Sequence, residues 1–187
     1  GYKFQNRELA ALALTHRSAG RQHNERLEFL GDAILGFTVA EELFMTYPDA
    51  PEGDLSRIRS SLVNKEILAQ IAREIRLGDA LTLGPGELKS GGRQRVSILA
   101  NALEAVFGAI YLDGGLEECR SRILALLLPH MPAPGQQEVH KDPKTKLQEL
   151  LQARGLDLPL YEVSSISGEA HEQLFAVNCH IPLLPAP

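Results

Sequence analysis

Three carboxylates recur at helical spacing near the start of the chain. Glu25, Glu28 and Asp32 fall within an arc of about 60° on one helix, since helical residues turn by about 100° each. The same arc continues through Leu35 and Val39, which are typical of a face that packs inward. Because an unpaired buried charge is very costly, this acidic stripe predicts a compensating cation, most simply a divalent metal ion.

Two other interpretations of the acidic stripe stay open. A solvated acidic helix face needs no cation, although leucine and valine one turn further on are unusual for such a face. The carboxylates could instead form ion pairs with Arg26 or with more distant arginines, because buried charges in proteins are usually paired.

A second helix offers oxygen ligands at similar spacing. Asn101 and Glu104 are three residues apart, and their helix face continues through Gly108, where another helix can approach closely. If this face packs on the acidic stripe, the oxygens of Glu28 and Asp32 join those of Asn101 and Glu104 in a pocket suited to Mg²⁺ or Mn²⁺. Two such ions about 4 Å apart could clamp a phosphodiester for hydrolysis. Without the acidic stripe, the spacing of Asn101 and Glu104 would be equally well explained by a contact between two side chains on the surface of their own helix.

The overall charge does not by itself indicate a nucleic-acid partner. The 187 residues carry a net charge of -5, so any such binding must come from local basic patches. Lys89, Arg93 and Arg95 form one such patch in a glycine-rich loop, where they could contact phosphates or simply be solvated. That loop lacks the GK[ST] ending of a Walker motif, so no nucleotide cofactor is expected.

The cysteines and the hydropathy pattern indicate a cytoplasmic protein with no membrane partner. Cys119 and Cys179 have neither CxxC spacing nor clustered histidines, which argues against zinc and disulfide frameworks and favours a reducing compartment. No apolar run approaches eighteen residues, and no secretory signal is visible.

The periodicity predicts two domains. Residues 1–128 have helical spacing throughout, including helices at about 25–47, 96–111 and 116–128, and form an all-α domain. Residues 129–141 are rich in proline and form a linker. Residues 142–187 read as one helix and two alternating strands, an incomplete α+β domain with too little apolar surface for a thick core.

Several segments together carry a family resemblance. In chain order they read NERLEFLGDAIL, PEGDLSRIRSSLV, LGPGELKSGGR, SILANALEAVFGAIYLDGG and KDPKTKLQELLQ. The chain resembles bacterial ribonuclease III, an endonuclease that cuts double-stranded RNA, over nearly its whole length. The resemblance implies a helical endonuclease domain that forms a homodimer and requires Mg²⁺, with Mn²⁺ able to substitute. It further implies products with 5′ phosphates and short 3′ overhangs, and processing of ribosomal RNA precursors, messenger RNA and transfer RNA.

The resemblance assigns roles to matching positions of the nuclease domain. It implies metal ligation by Glu28, Asp32, Glu104 and the residue at position 101, with the three acidic residues catalytic. At the dimer interface, three further residues have implied supporting roles, with the phenylalanine packing into the partner subunit: Glu25, Phe29 and Glu52.

The second domain resembles the beginning of a double-stranded RNA-binding domain. Gln148 and Glu149 on its helix, and His171 in the turn between its strands, match positions that reach the RNA minor groove. The family's final strand and lysine-rich helix have no counterpart in this sequence.

Position 101 departs from the family pattern, which usually has aspartate there. An asparagine offers a carbonyl oxygen but no negative charge, so metal affinity should fall. Two hypotheses follow: an Mg²⁺-dependent endoribonuclease, and a catalytically impaired factor that binds double-stranded RNA.

Overall fold

The computed structural model describes residues 2–132, 143–168 and 173–181, which divide into two compact units, residues 1–137 and 138–187. The first unit contains helices α1 Arg7–Ala13, α2 Glu25–Thr46, α3 Glu52–Leu62, α4 Lys65–Glu74, α5 Pro85–Lys89 and α6 Val96–Leu127. The second contains helix α7 Pro143–Ala153 and strands β1 Leu160–Ser167 and β2 Leu174–His180. The fold is therefore a helical domain followed by a small α+β unit, as the sequence predicts.

The core of the first unit lies between α2 and α6. From α2, Leu35 and Leu43 are fully buried; from α6, Leu103 and Phe107 are almost so. Both helices bury one apolar face because their apolar residues recur at helical spacing. The packing of α2 on α6 is the scaffold of the unit.

Helix α4 packs against the same central helix. It begins after Asn64, whose side-chain oxygen accepts a hydrogen bond from the backbone N–H of Ile67 at 2.9 Å. Such a cap satisfies one of the free donors at a helix N-terminus. Leu68 and Ile71 then bury the inner face of α4, so the cap and this face together fix where the helix starts.

Helix α6 changes direction at Gly115, whose φ of 83° and ψ of 179° are not helical. The sequence predicts a helix stop at residues 113–115, and the structure places the break there while the chain returns to a helix at once. Beyond the break, the Cys119 thiol is buried and donates to the carbonyl oxygen of Phe107 at 3.2 Å. Cys119 therefore anchors the second segment of α6 on the first.

The segment Val96–His130 is long and apolar enough to cross a membrane by length and composition alone. More than half of its most apolar window is buried inside the protein, as expected for a core helix. Residues 128–130 form a 3₁₀ turn directly after α6.

The second unit is a helix followed by an antiparallel hairpin. Strand β1 pairs with β2 in a register that sets Val163 opposite Val177 and Ile166 opposite Phe175. The two strands are exposed along their whole length, and so is the Cys179 side chain on β2. Two strands and one helix bury little apolar surface, which agrees with the thin core expected from the sequence.

Candidate active site

Two glycines let α2 and α6 touch at backbone level. A Cβ atom on Gly31 would lie 1.8 Å from the carbonyl oxygen of Glu104, and one on Gly108 would lie 2.3 Å from that of Leu27. Any larger residue would force the two helices apart. Because the crossing point lies beside Glu28, Asp32 and Glu104, the close approach brings these carboxylates to one place.

Asn24 ties the start of α2 to the end of α1 and to the residues directly after it. Its side chain is buried and donates to the carbonyl oxygen of Ala13 at 3.2 Å. Its backbone N–H donates to the carbonyl oxygen of Thr15 at 2.9 Å. A buried amide with both kinds of contact restricts the position of the helix end, so the first turn of α2, which carries Glu25 and Glu28, has a defined position.

An open cleft of about 690 Å³ lies along the crossing of the two helices. The four predicted metal ligands, Glu28, Asp32, Asn101 and Glu104, all line it. The structure therefore brings together the two helix faces whose contact was the condition for the predicted metal pocket.

The acidic stripe is less buried than predicted. Leu35 and Val39 are buried, but Asp32 and Glu25 are exposed, while Glu28 is half-buried. The expectation that the whole stripe faces inward is wrong at its acidic end. The physical reason is that this end borders a cleft open to solvent, where carboxylates stay partly hydrated.

Glu25 lies at the end of the same cleft and also has basic partners. Its carboxylate lies 3.4 Å from the Arg17 guanidinium and 3.7 Å from Nδ1 of His23. The ion-pair interpretation of the acidic stripe is therefore correct for Glu25, with partners other than Arg26.

The cleft raises the pKa of two of its carboxyl groups. Burial, and then the negative charges of Asp32 and Glu28, raise the pKa of Glu104 to about 7. Burial, and then the charge of Glu25, raise the pKa of Glu28. In both cases the positive charge of Lys65 acts in the opposite direction. A cation in the cleft would favour the charged form of both carboxyl groups. The repulsion that raises their pKa values would therefore be relieved by a bound cation.

Asn101 lines the cleft with Glu28, and its amide lowers the pKa of that carboxyl group. An asparagine amide can donate through nitrogen or accept through oxygen. The same side chain can therefore stabilise the Glu28 carboxylate or turn its oxygen towards a metal ion.

The donor set suits a hard cation. Among the described residues, no three His, Cys, Asp or Glu side chains already lie close enough together to ligate one ion. Mg²⁺ does not require such a cage, because it usually keeps several water molecules and takes only one or two carboxylates directly. The oxygen-only donors and the mutual repulsion of Glu28 and Glu104 fit such an ion.

Two residues with predicted interface roles occupy different surroundings. Phe29 is 80% exposed and borders the cleft. It also borders a second, mainly apolar cavity of about 1070 Å³, whose lining includes Leu9, Leu12 and Leu112. Glu52 is the first residue of α3, where its carboxylate accepts a hydrogen bond from the Ser56 hydroxyl at 2.6 Å. It does not line the cleft within the described part of the chain.

Two of the predicted phosphate-binding residues have partners inside the protein. Arg93 donates to the carbonyl oxygens of Gly78 and Asp79 at 2.9 and 2.5 Å. Arg95 forms an ion pair with Glu87 at 2.5 Å. These contacts hold the glycine-rich loop on its neighbours, while Lys89 is exposed at the end of α5.

The predicted RNA-binding residues of the second unit lie on α7 or outside the described residues. Gln148 is half-buried and Glu149 is exposed on α7. His171 lies outside the described residues.

Three basic residues of the cleft lining were not predicted from the sequence. His16, Arg17 and Lys65 line it, from the segment after α1 and from the start of α4. Their distance in the sequence from the acidic motifs hides this proximity. A lysine at the first position of a helix was the available signal, since a cation is unfavourable there.

The first unit is thus a helical domain whose two core helices cross at a cleft lined by oxygen donors. A family model described as ribonuclease-III-like matches residues 6–131. The chain is 56% identical over 184 residues to Ribonuclease 3 of Pseudomonas aeruginosa, covering 98% of this chain and 80% of the relative. It is 54% identical over 187 residues to Ribonuclease 3 of Vibrio vulnificus, covering 100% and 83%.

The chain is also similar to solved structures of ribonuclease III and of Dicer. The ribonuclease III nuclease domain of Campylobacter jejuni is 43% identical with a TM-score of 0.67, covering 68% of this chain and 90% of that one. Dicer from Pichia stipitis is 26% identical with a TM-score of 0.57, covering 95% and 81%. The chain belongs to the ribonuclease III family and is an endoribonuclease of the bacterial type.

Proposed function

We propose that this endoribonuclease hydrolyses phosphodiester bonds of double-stranded RNA with Mg²⁺, leaving 5′ phosphates and short 3′ overhangs. The single observation that carries the proposal is the contact of α2 with α6 at Gly31, which places Glu28, Asp32 and Glu104 around one cleft. Oxygen donors of this kind favour Mg²⁺, and Mn²⁺ would substitute because it accepts the same ligands.

In this proposal, Glu28, Asp32 and Glu104 hold the cation, together with the side-chain oxygen of Asn101. A bound Mg²⁺ supplies a Lewis acid that activates water and stabilises charge on the leaving oxygen. The pKa of Glu104, about 7, lies above its ordinary value, and a cation held in the cleft would favour the charged form of this group. Glu25 stays paired with Arg17 and supports the end of the cleft.

The second part of the proposal is a homodimer. Phe29 is 80% exposed beside an apolar cavity, and contiguous exposed apolar surface of this kind marks interaction sites. We assign Phe29 to the interface, where it packs into the apolar cavity of a second copy, and Glu52 to the same contact. The solved nuclease domain of Campylobacter jejuni ribonuclease III has structural flexibility in a region involved in dimer formation, and this relative supports the assignment.

We also propose the domain limits and the cellular role. Residues 1–128 form the nuclease domain, residues 129–141 the linker and residues 142–187 a partial RNA-binding domain. In that last part, Gln148, Glu149 and His171 would contact RNA, as would Lys89, Arg93 and Arg95 in the nuclease domain. The enzyme would act in the cytoplasm on ribosomal RNA precursors and other structured transcripts, without a membrane partner or a nucleotide cofactor.

One observation favours a second candidate function. Asn101 places an amide where the family usually has a carboxylate, and this amide interacts with Glu28. The cleft therefore has one negative charge fewer for holding cations. On this alternative, the chain is a double-stranded-RNA-binding factor with impaired catalysis.

A cleavage assay tests both functions. A labelled RNA duplex is incubated with Mg²⁺ and with the parent protein or Glu104→Ala, and the products are sized by gel electrophoresis. Cleavage by the parent that is lost in Glu104→Ala supports the nuclease. Equal cleavage by both would remove Glu104 from the catalytic set, and binding without cleavage by the parent would favour the impaired factor.

A further inference from the structure

Lys65 lines the cleft from a third helix, α4. It is the first residue of α4, directly after the Asn64 cap. The buried face of α4, including Leu68 and Ile71, fixes the start of this helix against α6. The backbone of Lys65 is therefore held at the edge of the cleft, while its flexible side chain is exposed.

The position of Lys65 does not stabilise its own helix. The N-terminus of a helix carries a partial positive charge, so a lysine at the first position is unfavourable, whereas Glu66 beside it is favourable. No carboxylate of the described residues lies within 4 Å of the Lys65 ammonium. Helix capping and ion pairing therefore do not account for a lysine at this place.

Of the positively charged side chains that line the cleft, Lys65 is the one with no ion-pair partner among the described residues. Arg17, the other positively charged residue of the lining, is paired with Glu25. Burial lowers the pKa of His16, and Nδ1 of this ring accepts a hydrogen bond from the backbone N–H of Ser18. Lys65 lines the same cleft as Glu28 and Glu104, so its ammonium is within the region where the proposed substrate phosphate would lie.

We propose that Lys65 is a catalytic residue whose ammonium contacts a non-bridging oxygen of the scissile phosphate. This inference rests on the proposed function. In the hydrolysis, the oxygen of water bonds to phosphorus and the water loses one proton, the bond from phosphorus to the 3′ oxygen breaks, and that oxygen takes up a proton from the solvent. Lys65 keeps its own proton throughout and stabilises the negative charge that grows on the phosphate. A lysine ammonium suits this role, since it is a compact point charge with three donors.

The test uses the full chain and three variants: Lys65→Met, Lys65→Arg and Lys3→Met. Lys3 is also an exposed lysine and does not line the cleft, so Lys3→Met is a matched control for the lost charge. Single-turnover cleavage of a labelled RNA duplex is measured at saturating Mg²⁺. We expect Lys65→Met to be slower than the parent by on the order of 10²-fold, Lys65→Arg to recover part of the rate, and Lys3→Met to match the parent.

A sulfur substitution gives a readout that a structural role would not change. The duplex is made with sulfur in place of each non-bridging oxygen of the scissile phosphate in turn. At the oxygen that Lys65 contacts, sulfur slows the parent, but it slows Lys65→Met much less, because that contact is already lost. Unchanged melting temperatures for the three variants would show that folding is not the cause.

The other outcomes overturn the inference. If Lys65→Met cleaves as fast as the parent, the inference fails while the proposed function stands. The same holds if its defect disappears at high Mg²⁺, since Lys65 would then act through the cation. If neither the parent nor Asn101→Asp cleaves the duplex, the proposed function fails, and the role of Lys65 fails with it.

Discussion

The backbone of Gly31 lies directly against the carbonyl oxygen of Glu104, so the contact between the helices and the lining of the candidate cleft share one residue, Glu104. A Cβ at position 31 would lie 1.8 Å from that oxygen. Backbone atoms cannot move aside as a flexible side chain can. The spacing of the two acidic helix faces is therefore set by the absence of a single methyl group.

Gly31→Ala should destabilise the protein by about 1–3 kcal/mol, because the added methyl forces α2 and α6 apart. Cleavage should fall with it, since Glu28 and Glu104 separate. Urea unfolding followed by circular dichroism measures the change. Gly36→Ala is the matched control on the same helix: its Cβ would meet nothing within 4 Å, so stability should rise by about 0.5–1 kcal/mol. Equal stabilities for the two variants would contradict the close contact.

Glu104 should make stability depend on pH when no divalent cation is present. Its folded pKa of about 7 lies above the ordinary value of 4.5, so its contribution is full below pH 4.5 and is lost as pH rises through 7. Glu104→Gln should therefore be more stable than the parent at pH 8, by about 1–2 kcal/mol after allowance for solvent screening. The two should converge near pH 4.5.

Thermal unfolding in EDTA at both pH values checks this prediction. Adding Mg²⁺ at pH 8 should then raise the melting temperature of the parent more than that of Glu104→Gln, because binding to the folded state alone stabilises it. A parent and variant with the same melting temperature at pH 8 in EDTA would show that Glu104 carries no such repulsion.

Asn101→Asp should lower the Mg²⁺ concentration needed for half-maximal cleavage, because it adds a negative charge to the ligand set. Without a cation it should destabilise the protein, since it places a further carboxylate near Glu28. Cleavage rates measured across a series of Mg²⁺ concentrations test the first effect. Cleavage only by Asn101→Asp would favour the impaired parent, and identical Mg²⁺ dependence would mean that position 101 does not contact the ion.

Phe29→Ser should give a monomer, because it removes the apolar side chain assigned to the subunit contact. Light scattering with size-exclusion chromatography should report twice the chain mass for the parent and a single chain mass for the variant. Phe44→Ser is the matched control, since Phe44 is also exposed on α2 but does not line the apolar cavity. A monomeric parent at micromolar concentration would exclude the proposed dimer.

Periodicity predicted the acidic faces because a helix repeats regularly and both faces carry their residues at this repeat. It also predicted the break near Gly115, since glycine after aspartate ends helices often. It overestimated the burial of Asp32, because periodicity gives the direction of a side chain but not where a helix face meets solvent. The exposure of Asp32 depends on the opening of the cleft, which several separate segments of the chain form.

The residues that sequence reasoning missed are those whose role depends on distant partners. Lys65 reaches the cleft only because α4 packs on α6, and no local pattern records that packing. Arg93 resembled a phosphate ligand in a glycine-rich loop, yet it donates to two backbone carbonyls about fifteen positions earlier in the chain. Unsatisfied backbone acceptors of this kind cannot be seen in a sequence.

The two cysteines differ enough to be useful in the laboratory. Burial raises the pKa of the Cys119 thiol to about 11 and shields it from reagents, whereas the Cys179 side chain is exposed on β2. A maleimide dye or nitroxide added to the native protein near pH 7 should thus attach at Cys179 alone. The wild-type sequence already provides a single spectroscopic reporter in the smaller unit, without any engineered substitution.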